Sequence, residues 1–133
     1  IRLAGGIGLV GYSVDRTAAL PGERIALTLY WRAGADGDEN LSVFCQLQAQ
    51  GGQIVAQHDG WPDGGNRPTS SWRKGDLIAD RHVMIVKDDA PPGVWALHVG
   101  LYNADGKRLT VLGQHGEARA KDIVLTSIRV ASP

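Results

Sequence analysis

The side chains best equipped for chemistry cluster in one stretch, Asp59 to Gly75, which reads DGWPDGGNRPTSSWRKG. Trp61 and Trp72 offer flat apolar surfaces of the kind that stack on the C–H face of a sugar ring. Asp59, Asp63, Asn66 and Arg67 offer planar polar groups that could take up its hydroxyls. Loops of this length without strand pattern are uncommon in compact domains and often carry function. The competing role is structural. In that case the two indoles fold back and seal the loop over the edge of the fold, with their N–H groups as hydrogen-bond handles.

Other constellations are weaker. Asp76 and Asp80 follow the loop and, with Asp59 and Asp63, could act as paired carboxylates in glycoside hydrolysis or hold calcium. Arg67, Arg73, Lys74 and Arg81 lie beside them, so structural ion pairs and loop-fixing hydrogen bonds are the favoured use. The four histidines, His58, His82, His98 and His115, make no H-E-x-x-H pair and no metal-ligand spacing. His58, next to Asp59 at the mouth of the loop, reads as a hydrogen-bonded anchor. Gly6, Gly8 and Gly11 spell G-x-G-x-x-G, but no strand precedes them and no helix follows. A glycine-rich first strand with a bulge is the expected outcome. Asp36, Asp38 and Asn40 imitate the start of a calcium loop, yet Leu41 and Leu47 occupy the positions that need Gly and Glu. Cys45, the only cysteine, sits in an apolar alternation and excludes an internal disulfide. No cofactor and no metal are expected.

The elements that must position these groups follow from composition and periodicity. The chain has 133 residues and 14.2 kDa, the size of one ordinary domain, and no linker divides it. Fourteen basic and 14 acidic side chains cancel, which argues against a nucleic-acid partner bound through a basic face. No apolar stretch approaches the ~20 residues that span a bilayer, so this segment itself is not expected to insert in a membrane. Alternation dominates: Ile25, Leu27, Leu29 and Trp31 share one strand face, and Trp95, Leu97, Val99 and Leu101 another. Strands are expected near 7–14, 24–32, 41–49, 53–58, 78–87, 94–102, 108–112 and 122–130. Single helical turns are possible at 15–20 and 69–74. Pro21-Gly22, Gly51-Gly52, Pro91-Pro92-Gly93 and Asp105-Gly106 mark turns. About eight short strands favour an all-β, two-sheet antiparallel sandwich of Ig-like or jelly-roll type, with one long loop near 59–75.

With these pieces placed, the chain resembles the extracytoplasmic C-terminal β-sandwich region of bacterial membrane proteins related to dolichyl-phosphate-mannose-protein mannosyltransferases. The resemblance rests on GYSVD (11–15), PGERIALTLYWRA (21–33), SVFCQL (42–47) and GQIVAQHDGWP (52–62). It continues through PTSSW (68–72), GDLIAD (75–80), PPGVWALHVGLYN (91–103) and GKRL (106–109). It implies a single accessory domain on residues 1–133, cut from a longer glycosyltransferase-like membrane protein and held outside the cytoplasm. It carries no catalytic residue to this chain. The expected function is therefore non-catalytic, with a glycan or the membrane parent as partner. A structural or protein-interaction sandwich is the alternative, and a glycoside hydrolase-like activity ranks below both.

Overall fold

The alternating runs form strands because their apolar members, two residues apart, share one face that only a second layer can bury. The computed structural model describes all of residues 1–133. In chain order the strands are β1 (Arg2–Leu3), β2 (Ile7–Val14), β3 (Ala18–Ala19), β4 (Arg24–Ala33), β5 (Ser42–Gln48) and β6 (Ile54–Gly60). They continue with β7 (Leu77–Ile85), β8 (Gly93–Tyr102), β9 (Val111–Leu112), β10 (Ala118–Ala120) and β11 (Ile123–Val130). One sheet has the order β10-β9-β1-β2-β4-β7 and the other β3-β11-β8-β5-β6. The two face each other as a sandwich around a core of 28 buried apolar residues.

Most expected strands are present within a residue or two, and three very short ones are added. Residues 15–20 do not make a helical turn. Ala18 and Ala19 instead run parallel to the end of β11, opposite Arg129 and Val130, the one parallel pairing in the sandwich. The strand expected over 108–112 keeps only Val111–Leu112, and Arg108 makes a single bridge back to Tyr102. Strand β6 runs two residues beyond its expected end, so Asp59 and Gly60 belong to a sheet edge rather than to the loop. The glycine-rich start is strand β2, and its register against β4 shifts between Leu9 and Gly11, a bulge.

The facing of the long strands is as the alternation requires. Leu27, Leu29, Leu97 and Val99 are all buried, as are Cys45 and Trp31. Trp95 is only partly buried, at the sandwich end, where its indole N–H donates to the Pro91 carbonyl at 2.9 Å. Leu97→Ala should cost about 2–5 kcal/mol, from lost burial and the cavity left behind. Urea denaturation measures it. A loss below about 1 kcal/mol, the range of surface substitutions, would contradict this packing.

The placement that matters for function is at one side of the sandwich. There β7 ends the first sheet and β6 ends the second, so their inward side chains meet where the two layers open.

Candidate functional site

On β7 the residues Ile78, Asp80, His82 and Met84 point inward and are buried. Two of them are polar, which in a core demands partners. Asp80 has three. Its Oδ2 accepts from the Trp31 indole N–H of neighbouring β4 at 2.9 Å and lies 2.7 Å from His82 Nε2. Its Oδ1 accepts from the Asp63 backbone N–H at 2.7 Å. His82 Nδ1 in turn lies 2.9 Å from Nδ1 of His58, which reaches inward from β6. A polar string, Trp31–Asp80–His82–His58, buried except at His58, therefore closes the open side of the sandwich.

The string assigns its own protons. A carboxylate only accepts, so His82 carries its proton on Nε2 and, while neutral, leaves a lone pair on Nδ1. His58 must then donate from Nδ1, which leaves a lone pair on its Nε2. That Nε2 has no partner in the protein, and no buried side-chain nitrogen or oxygen lacks one, so it reaches solvent. Burial, and then the His82 ring, hold His58 below the ordinary imidazole value of 6.5, with Asp59 and Asp80 pulling the other way. As pH falls through 6.5 the unfolded chain takes up a proton that the folded chain resists. The stability that His58 confers is thus present above that value and lost as pH falls through the folded pKa. Melting temperature should drop on acidification from about pH 7.5 to about pH 5.5, and His58→Gln should flatten that part of the slope. A profile unchanged by His58→Gln would contradict the assignment. Cys45, opposite His58 on β5, stays a buried thiol, its pKa pushed well up by burial and then by the charges of Asp80 and Asp59.

The outer end of the string borders a shallow cleft of about 370 Å³, lined by His58, Asp59, Gly60, Trp61, Gly64 and Gly65. One wall is a tight turn over Pro62–Gly65. Asp63 holds φ 51° there, the one non-glycine residue with positive φ, and Gly64 and Gly65 follow at 64° and 89°. Aspartate tolerates this left-handed conformation better than most residues, but the turn still needs to be held. Two successive residues of β7 hold it: Asp80 from inside, through the Asp63 N–H, and Arg81 from outside. The Arg81 guanidinium forks onto the Asp63 carboxylate at 2.9 and 3.2 Å and keeps its pKa below the usual carboxylate range. Asp59 faces outward, where its Oδ2 accepts from the Tyr102 hydroxyl at 3.0 Å.

The six residues proposed from sequence are not brought together as one site. Asp59 and Trp61 line the cleft. Trp61 is 45% exposed and is the one tryptophan whose indole N–H meets no protein acceptor. Trp72 is a correction: it is 1% exposed, with its N–H donating to the Arg67 carbonyl at 2.9 Å, and has no free face for a sugar. Asp63 shapes the cleft, but its carboxylate is engaged by Arg81. Asn66 closes the turn through its backbone N–H, and Arg67 pairs with Asp76 at 3.6 Å. Neither side chain lines the cleft. Asp80 fixes the loop, as expected, through the Asp63 N–H, but its side-chain partners are Trp31 and His82 rather than Arg67, Arg73, Lys74 or Arg81. His82 was not singled out as a site residue. Its inward alternation with Ile78 and Met84 was the available signal that it is a buried polar group.

No protein-family model matches the chain, and no curated protein sequence does. Solved structures share its fold. The C-terminal domain of wzt superposes with a TM-score of 0.62 at 12% identity, over 99% of this chain and 76% of that one. A Niemann-Pick type C2 protein from Japanese carpenter ant superposes at 0.55 and 8% identity, over 92% and 91%. The alkylpurine DNA glycosylase AlkC of Pseudomonas fluorescens, bound to DNA containing an abasic site analog, superposes at 0.56 and 16% identity. This chain covers only 31% of that protein. Identities this low are likenesses of fold alone.

Proposed function

We propose that this chain is a non-catalytic glycan-binding sandwich, an accessory domain carried outside the cytoplasm by a glycosyltransferase-like membrane protein. The observation that supports it is Trp61. Three tryptophans spend their indole N–H inside the protein, whereas Trp61 lies half in solvent in a cleft that His58 and Asp59 also line. An indole face with His58 Nε2 and Asp59 nearby matches what a sugar ring presents, an apolar C–H face and a rim of hydroxyls. The non-catalytic reading is supported by the carboxylates. Glycoside hydrolysis takes two, one on each side of the scissile bond. Here Asp63 is paired with Arg81 and Asp80 is buried, which leaves Asp59 alone at the cleft.

A shallow open site of this kind should bind with dissociation constants roughly micromolar to millimolar, about −8 to −4 kcal/mol. Titration with a panel of neutral and charged oligosaccharides, on wild type and Trp61→Ala, tests it. The variant should lose binding while its melting temperature stays within a few degrees of wild type, since Trp61 lies outside the core. Absence of binding to every sugar at millimolar concentration would overturn the proposal and leave the interaction-module reading in its place.

A further inference from the structure

The outward face of the second sheet carries a feature that the Trp61 cleft does not use. Phe44 points away from the core on β5, yet it is 1% exposed. Three neighbours cover it. Gly100, directly opposite on β8, leaves room for the ring to lie flat, and a Cβ there would overlap it. Tyr102 stacks beside it with centroids 6.2 Å apart. Arg108 lies over the ring with its guanidinium carbon 4.2 Å from the centroid. Arg108 is brought there by the turn after β8, which Asn103 organises by accepting the backbone N–H groups of Asp105 and Lys107 at 3.0 Å.

Arg108 is unusual among the arginines. Three are half-buried; Arg16 pairs with Glu23 and Arg67 with Asp76, whereas Arg108 has no carboxylate within 4.0 Å and donates no side-chain hydrogen bond. A guanidinium held over an aromatic ring, with its N–H edges unspent, is preorganised for a planar oxyanion. Those edges border a small cleft of about 150 Å³ whose other walls include Gln46, Tyr102 and Asp59. Asp59 also lines the Trp61 cleft, so the two clefts meet at that residue.

We infer that the joined groove takes an acidic oligosaccharide: a ring on Trp61, hydroxyls donating to Asp59, and a carboxylate or phosphate on the Arg108 guanidinium. This rests on the glycan-binding reading above and adds the ligand's charge and its direction. Asp59 repels an anion and welcomes hydroxyls, so it gives the groove polarity. The charged group belongs at the Arg108 end, away from Trp61.

Calorimetric titration with two matched pairs tests it: trigalacturonate against its methyl ester, and a phosphorylated mannotriose against the same sugar dephosphorylated. The charged member of at least one pair should bind about tenfold tighter than its neutral partner, as charge-assisted hydrogen bonds allow, with a preference that shrinks in high salt. The preferred pair tells carboxylate from phosphate. Arg108→Gln should erase the preference and leave neutral-sugar affinity within about two- to threefold. Arg108→Met keeps an apolar stem over Phe44 and should do the same, which separates lost charge from lost packing. Neutral sugars bound, and lost in Trp61→Ala, with charged ones no tighter or with both Arg108 variants keeping the preference, would overturn this inference alone. No sugar bound at all would overturn the reading beneath it.

Discussion

Asp80→Ala should cost about 3–5 kcal/mol of stability, among the largest losses any single substitution in this chain should produce. The carboxylate is fully buried, and its two oxygens serve three groups: the Trp31 indole, His82 and the Asp63 backbone. Truncation leaves those donors in a low-dielectric interior without acceptors, each lost partner costing about 1–3 kcal/mol. It also frees the left-handed turn at Asp63 from its inner tether, leaving only Arg81. Asp80→Asn is the sharper probe because it keeps the shape. One amide oxygen can still serve one side, but the NH₂ faces either the indole or the turn as a second donor, so about 1–3 kcal/mol should be lost. Urea denaturation of both variants gives the values, and limited proteolysis near Gly64 should report a loosened turn in each. An Asp80→Asn variant as stable as wild type would mean that the string does not hold the sandwich edge.

What the sequence disclosed and what it hid follow a physical division. Period-two alternation is a local signal, so the long strands β2, β4, β5, β7, β8 and β11 were legible, with their inward faces. The strands it missed, β1, β3 and β10, are two or three residues long, too short to show alternation; β1 and β3 also depend on distant strands, β9 and β11, for hydrogen bonds. Residues 18–19 carry no alternation at all; the end of β11 decides their conformation. The same division holds at the site. Trp61 and Asp59 could be singled out because their types and loop position suggested exposure. The Asp80–His82–His58 string could not, because it joins edge strands of two different sheets, a relation that depends on sheet order. Nor could Arg108. Its position over Phe44 requires knowing that Gly100 stands opposite Phe44, which only register provides.

The loop's two tryptophans divide along the same line, and the division predicts opposite outcomes. Trp72→Ala should cost about 3–5 kcal/mol, the range for emptying a buried aromatic site. Trp72 is part of the buried core, at a seam where two loops are stitched together. Its indole N–H donates to the Arg67 carbonyl at 2.9 Å, and its own carbonyl accepts from Gly37 N–H at 2.9 Å. Around it the Thr69 hydroxyl donates to the Glu39 carbonyl at 2.6 Å and accepts from Leu41 N–H at 2.8 Å. Asn40 Oδ1 accepts from Ser70 N–H at 3.3 Å, and Asp36 Oδ1 from Lys74 N–H at 2.9 Å. Two of the three side chains that imitate a calcium loop in the sequence, Asp36 and Asn40, thus accept from the backbone of the facing loop. Gly37 sits so close that a Cβ would overlap the Thr69 carbonyl, which makes the seam intolerant of adjustment. Trp72→Phe keeps most of the packing and loses one hydrogen bond, so its cost should be nearer 1–2 kcal/mol, roughly the value of a buried hydrogen bond. Trp61→Ala, by contrast, should stay within about 1 kcal/mol of wild type, because half of that side chain is already in water. Denaturation curves for the three variants decide the matter. If Trp72→Ala proves as mild as Trp61→Ala, the seam does not hold the loop, and the cleft wall rests on Asp80 and Arg81 alone.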